Sequence, residues 1–176
     1  YWHYRGLDFC HAADNGMKLE GSYCVVELCR FYGNEDTGLQ QGFGKDSKGN
    51  NTRNTEFKYG RNNIIVNCDA YDNNDPWTHG GNADGFAIKL YPGPGNEFHG
   101  CRAWHNSDDG WDLYYTVFPI VVDNCWVLNN GLDKGNANGF KMGGCKQGGT
   151  STGAHVFKNC IAAFNAKKGF DQNHHR

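Results

Sequence analysis

Cys101-Arg102-Ala103-Trp104-His105-Asn106-Ser107-Asp108-Asp109-Gly110-Trp111-Asp112-Leu113-Tyr114 holds a cysteine, an asparagine five positions on, and a glycine followed by a large apolar residue. The same phrase recurs along the chain. Cys10, Cys29, Cys68, Cys101, Cys125 and Cys160 are followed at the same offset by Asn15, Asn34, Asn73, Asn106, Asn130 and Asn165. The third residue after each cysteine is apolar: Ala13, Tyr32, Tyr71, Trp104, Leu128 and Ala163. Most copies then reach glycine and an apolar residue, as in Gly16-Met17, Gly42-Phe43, Gly85-Phe86, Gly110-Trp111, Gly139-Phe140 and Gly169-Phe170. Short alternating runs such as Ile64-Ile65-Val66 and Ile120-Val121-Val122 precede the cysteines.

Short strands, Asn turns and glycine bends recurring at roughly 20–35 residues predict an all-β parallel solenoid of roughly six coils. One coil cannot bury its own apolar face, so stacking at about 4.8 Å completes the core. Longer intervals imply inserted loops, above all Glu35 to Tyr59. Equivalent cysteines then stack inward about 4.8 Å apart, wider than the ~3.8 Å Cβ separation of a disulfide. The six repeat thiols are therefore expected to be free and buried, with the asparagines forming a ladder between coils. Cys24 and Cys145 fall outside this register, and their state is left open.

Composition limits the alternatives. The 176 residues are expected to form one domain, 1–176, incomplete at both ends. A net charge of -2 gives no electrostatic case for nucleic acid. No apolar run approaches the ~18 residues of a membrane span. Mean hydropathy is -0.73, yet the 14% aromatic content and eight cysteines argue for a packed interior. The first residues, Tyr1-Trp2-His3, read as a processed or truncated N-terminus.

Alone, Asp108, Asp109 and Asp112 read either as a hydrated acidic turn or as hard oxygen ligands for Ca²⁺. The repeat shifts the balance. Aligned on the glycine, Asp84-Gly85-Phe86-Ala87-Ile88, Asp109-Gly110-Trp111-Asp112-Leu113 and Asn138-Gly139-Phe140-Lys141-Met142 fall in register. Phe86, Trp111 and Phe140, with Ile88, Leu113 and Met142, should point inward, and Ala87, Asp112, Lys141 and Asp171 outward. Asp84 then lies one coil from Asp109, with Asp108 and Asp112 beside them. Four carboxylates converge on one exposed patch, with Lys141 a coil further on, and a cation site becomes the better reading.

The segments Asn82-Ala83-Asp84-Gly85-Phe86-Ala87, Cys101 to Tyr114, Asn138-Gly139-Phe140-Lys141-Met142-Gly143-Gly144 and Lys168-Gly169-Phe170-Asp171-Gln172-Asn173-His174 together resemble polysaccharide lyase family 9. The resemblance runs from about Asn63 to the C-terminus and is weaker before it. It implies a right-handed parallel β-helix and a pectate lyase activity, secreted or extracellular, with the periplasm as the alternative. It also implies calcium held by Asp84, Asp108, Asp109 and Asp112, and Lys141 as catalytic base. Family members are much longer, so the chain looks like a segment of a larger lyase.

Such enzymes cleave polygalacturonate by β-elimination: a base removes the C5 proton beside the carboxylate and the C4 oxygen leaves. A cation on that carboxylate stabilises the developing charge. Lysine suits the base role where burial and a nearby cation lower its pKa, although neighbouring carboxylates oppose this. Without the resemblance, Lys141 reads as a solvated surface lysine. Lys89, Arg102 and Lys146 are candidate ligands for substrate carboxylates and equally plain surface charge. Tyr114, Tyr115 and Trp77 offer either sugar-stacking faces or solenoid packing. The eight histidines show no metal-ligand spacing, although Asp171 and Asn173 could line the same face. Gly143 to Gly149 lacks a phosphate-loop pattern. The chain is expected to act as a monomer. Competing readings are a lyase for another uronate polymer, a non-catalytic carbohydrate-binding or adhesin solenoid, and a two-carboxylate hydrolase.

Overall fold

The structure is a computed structural model that describes residues 1–42, 60–144 and 153–174. Its strands are two to four residues long and assemble into three parallel sheets of six strands. Each coil contributes one strand to each sheet. The fourth coil, for example, runs through Asn96–His99, Arg102–Trp104 and Trp111–Asp112. The result is a parallel β-helix of six coils, as the repeat predicts.

Strands this short send one or two apolar side chains inward, and successive coils stack these in columns. The first sheet supplies Val26, Ile65, Phe98 and Val122, and the second supplies Phe31, Ala70, Ala103 and Val127. The third supplies Leu39, Phe86, Trp111 and Phe140, with Ile88 and Leu113 also fully buried and Met142 packed against them. The small Ala70 and Ala103 leave room for the large rings, whose centroids lie 4.5 Å apart for Phe86 and Trp111 and 5.2 Å for Trp111 and Phe140. Each such ring contributes about 1.5–3 kcal/mol through removal from water.

Two left-handed bends per coil turn the chain from sheet to sheet. The first falls at Gly6, Leu28, Asn67, Gly100, Asn124 and Asn159, the second at His11, Gly33, Asp72, His105, Asn129 and Phe164. Asn and Gly occupy this conformation readily, whereas Leu28 and Phe164 do so at a cost of roughly 1–2 kcal/mol. The third sheet is entered through glycine because the coils close tightly there. A Cβ on Gly110 would lie 2.0 Å from Val127 Cγ1 and 2.8 Å from the Gly139 carbonyl oxygen.

The cysteine stack forms as expected in five coils. Cys29, Cys68, Cys101 and Cys125 are buried and free, and Cys160 is half-buried in the last coil. Each thiol donates to carbonyls of its own and the preceding coil, as Cys68 does to Val66 at 3.4 Å and Val26 at 3.5 Å. Cys10 is not a member. It pairs in register with Tyr32 and is exposed, so Leu7 holds the position opposite Cys29. The first two copies of the repeat therefore need realignment. Ala12 stands opposite Asn34, and Gly38-Leu39, rather than Gly42-Phe43, continues the glycine column of Gly16-Met17. Cys24 is buried and free, while Cys145 lies outside the described residues.

The asparagine ladder runs through Asn34, Asn73, Asn106, Asn130 and Asn165. Each Nδ2 donates to the next Oδ1 at 2.8–3.0 Å, and the same oxygen accepts the backbone N–H of the preceding asparagine. Asn106→Ala should leave the Asn73 amide and N–H without their acceptor inside the fold. We expect a loss of about 2–4 kcal/mol, since unsatisfied buried groups cost about 1–3 kcal/mol each. The half-exposed Asn165 should cost less. Equal denaturant midpoints for wild type and Asn106→Ala would rule the ladder out as a stabilising element.

Candidate active site

The acidic cluster lies on the outer face of the third sheet, where register sets the spacing of its members. Phe86 pairs with Trp111 and Trp111 with Phe140, while Ala87, Asp112, Lys141 and Asp171 align across coils three to six. Asp84 and Asp109 are therefore true coil neighbours, one residue before their glycines.

Both carboxylates have one oxygen committed to the fold. Asp84 Oδ1 accepts the N–H of Asp109 at 3.1 Å, and Asp109 Oδ1 accepts the N–H of Asn138 at 2.8 Å and its Nδ2 at 2.9 Å. This leaves Oδ2 of each residue facing the cluster. Asp108 joins two connecting segments: its Oδ2 accepts Asn82 N–H at 2.9 Å and its Oδ1 accepts Asn136 N–H. Asp112 Oδ1 accepts Tyr114 N–H at 2.9 Å.

The cluster is not the exposed patch that the sequence suggests. Asp84 and Asp109 are fully buried, and Asp108 and Asp112 are 4% exposed. The segments that lead into Asn82 and Asn136 give Asp108 backbone donors on both of its oxygens, which a count of carboxylates does not reveal.

One oxygen each from Asp84, Asp108 and Asp109 lie within 4.8 Å of one another. Asp112 joins through the lysines: Lys141 Nζ lies 3.2 Å from Asp109 Oδ2 and 3.3 Å from Asp112 Oδ2. Lys89 Nζ lies 2.9 Å from Asp84 Oδ2 and 3.5 Å from Asp112 Oδ2. Asp109 Oδ2 is buried and accepts no hydrogen bond, so Lys141 is a charge partner without donor geometry. A buried carboxylate oxygen with no donor, in a set of hard oxygen ligands, fits a divalent cation such as Ca²⁺.

The electrostatics agree with crowding in a dry place. Burial raises the Asp109 carboxyl to about 7, Lys141 opposes this, and Asp108 and Asp112 add to it. Burial also pushes Asp84 well above the usual range, against the pull of Lys89. For Lys141, burial pulls the ammonium down, but Asp112 and Asp109 outweigh it and hold the pKa above its ordinary value. Lys89 is likewise raised, burial being outweighed by Asp84 and Asp112.

A cavity of ≈ 510 Å³ opens over the cluster, lined by Asp108, Asp112, Lys89, Lys141 and Tyr114, with Asn82, Asn136, Asn138, Asp171 and Asn173. Lys141 Nζ stands 5.7 Å above the Tyr114 ring. Asp171 and Asn173 thus share the face, although Asp171 is also paired with Lys168 at 2.9 Å. The three cations expected at substrate carboxylates part company. Lys89 is consumed by the acidic cluster. Arg102 is on the second sheet, in a bidentate pair with Asp69 at 2.7 Å, and does not line the cavity. Lys146 lies outside the described residues. Trp77 is 81% exposed on a short 3₁₀ turn and also stands apart from the cavity. Asn136 went unremarked in the sequence, since nothing in the repeat marks it.

Among the described residues no helix is long and apolar enough to cross a membrane. A family described as "Pel9A-like, right handed beta helix region" matches residues 1–176. Pectate lyase L of Thermoclostridium stercorarium is 42% identical over 186 residues, covering 98% of this chain and 14% of that protein. Pectate lyase L of Dickeya dadantii (strain 3937) is 38% identical over 180 residues, covering 98% of this chain and 38% of that protein. Among solved structures, the crystal structure of pectate lyase Pel9A superposes with a TM-score of 0.86 at 38% identity, covering 99% of this chain and 41% of that one. A rhamnogalacturonan lyase gives 0.59 at 27% identity, covering 96% and 43%. The chain spans well under half the length of each of these relatives.

Proposed function

Because the chain belongs to the family of Pel9A-like right-handed β-helix regions, we propose that it is the catalytic β-helix of a pectate lyase. It acts on polygalacturonate outside the cytoplasm and breaks the α-1,4 linkage by β-elimination. The observation that carries this reading is a cluster of four buried carboxylates on two coils, paired through Asp109 and Asp112 with Lys141 of the next, beneath a cavity that Asp108, Asp112 and Lys141 line.

Asp84, Asp108, Asp109 and Asp112 would hold Ca²⁺, which when bound draws electron density from the substrate's uronate carboxylate and makes its C5 proton more acidic. The remaining steps belong to the chain. The cavity admits the galacturonate over the acids, with Asn82, Asn136 and Asn138 at its wall. Lys141 Nζ takes the C5 proton. To do so it must first be neutral, so its pairing with Asp109 and Asp112 has to be relieved as those carboxylates take up the cation's charge. The C4–O bond then breaks, leaving a C4=C5 double bond on one product, while the departing oxygen keeps the bonding pair and takes a proton from water to become the hydroxyl of the other.

Incubation with polygalacturonate, with and without Ca²⁺, tests the proposal directly. Unsaturated products absorbing in the near ultraviolet are expected only with the cation. Saturated reducing ends would show a hydrolase, and binding without cleavage a non-catalytic module. The rhamnogalacturonan lyase likeness favours a second reading, a lyase on that uronate polymer, so rhamnogalacturonan should be run in parallel.

Calcium binding should also depend on pH with a defined sign. Asp109 holds its proton up to about 7, so below that pH the cation must displace it. Affinity is expected to tighten as pH rises through about 7, by up to about tenfold per pH unit for each proton displaced, with the raised Asp84 adding to the slope. A flat titration between pH 5 and 8 would show that Asp109 gives up no proton to the ion.

A further inference from the structure

Lys89 takes no part in the reaction proposed above, yet the fold encloses it. It follows the third-sheet strand Phe86–Ile88 and is 9% exposed. Its ammonium lies 2.9 Å from Asp84 Oδ2 and 3.5 Å from Asp112 Oδ2. Asp84 is itself anchored, since its other oxygen accepts the N–H of Asp109 at 3.1 Å. Lys89 is thus fixed between two acids of the cluster, while Lys141 holds the opposite side through Asp109 and Asp112.

The local charges add up simply. With all four acids ionised, as holding a cation requires, Asp84, Asp108, Asp109 and Asp112 carry -4; two ammoniums, Lys89 and Lys141, carry +2; the difference is -2. That is the charge a divalent ion neutralises. In a buried site a mismatch of one charge is felt far more strongly than at a wet surface. Lys141 must give up its proton in the reaction cycle, so it cannot be the constant member of this balance. Lys89 can.

We propose that Lys89 is a positioning residue whose ammonium is a permanent internal counter-ion, fixing Asp84 and Asp112 and matching the cation site to a divalent ion. The inference rests on the calcium reading given above. It also accounts for the placement of a lysine where a substrate-binding cation would have been expected to face the open cavity.

The test is competition between Ca²⁺ and Tb³⁺, followed by terbium luminescence, in wild type, Lys89→Met and Lys89→Arg. Loss of one positive charge favours a trivalent over a divalent ion, because the gained attraction scales with ionic charge. The preference for terbium should rise on the order of 10- to 100-fold in Lys89→Met, and Lys89→Arg should restore the wild-type ratio. Lys89→Gln keeps a donor for Asp84 and carries the same expectation if the methionine variant does not fold. An unchanged ratio in a folded variant, or loss of both ions, would overturn the role of Lys89 and leave the calcium reading standing. Failure of the wild type to bind Ca²⁺ would overturn both.

Discussion

Lys141→Ala is expected to lower the rate of unsaturated-product formation by about 10²–10⁴-fold, the usual contribution of a positioned general base. Calcium should bind the variant at least as tightly as the wild type, because the ammonium 3.2 Å from Asp109 Oδ2 is gone. These two readouts separate a lost base from a lost metal site. Lys141→Arg sharpens the test, since a guanidinium keeps the charge but cannot give up its proton at working pH. Both variants should be inactive. An active arginine variant would show that position 141 supplies charge and not proton transfer, and an active alanine variant would remove Lys141 from the mechanism.

The second large effect is expected at Asp109, where fold and function use different oxygens of one side chain. In Asp109→Asn the Oδ1 acceptor for Asn138 survives and only the charged Oδ2, which accepts no hydrogen bond and lies 3.2 Å from Lys141 Nζ, is lost. Calcium affinity should fall on the order of 100-fold, because ligand charge sets affinity over several decades. Stability of the metal-free variant at pH 8 should equal or exceed that of the wild type. The sign follows from the raised carboxyl of about 7. Folding favours the protonated acid, so its contribution is full below the unfolded value near 4 and is lost as pH rises through about 7. A neutral amide carries no such loss. Asp109→Ala removes both oxygens and should in addition cost about 1–3 kcal/mol by stranding the Asn138 N–H. If Asp109→Asn binds calcium like the wild type, the ion sits elsewhere.

Much of this was legible in the chain, and the places where it was not have physical causes. The coil register around the site could be read because Gly85, Gly110 and Gly139 recur where the coils close too tightly for a Cβ, and because large rings follow each of them. The first coils were misread because a cysteine five residues before an asparagine is a weaker marker than the turn itself. Gly38, Gly110 and Gly169 each stand four residues after the ladder asparagine, and Gly16 stands four after Ala12, which spacing would have rejected both Cys10 and Gly42. In the third coil the interval from Asn73 to Gly85 is longer, and the extra residues include the turn Pro76–Thr78. The burial of the acids could not be read at all. At Asp108 it involves backbone N–H groups of Asn82 and Asn136, which lie on different coils and have no sequence signature. The role of Lys89 was missed for a related reason: a lysine reads as solvated until two acids are found within reach of its ammonium.

The spacing of the coils also acts as a ruler for the ion. Asp84 and Asp109 are attached to neighbouring rungs, so the backbone sets how far apart their carboxylates stand, and one oxygen from each falls with one from Asp108 within 4.8 Å of one another. Ca²⁺ would take such oxygens at about 2.3–2.6 Å, a reach that suits carboxylates held about one rung apart. Mg²⁺ would need its ligands at about 2.0–2.1 Å, and reaching that would require pulling together two strands already hydrogen-bonded at their natural distance. Discrimination by ion size would then be supplied by the β-sheet repeat itself.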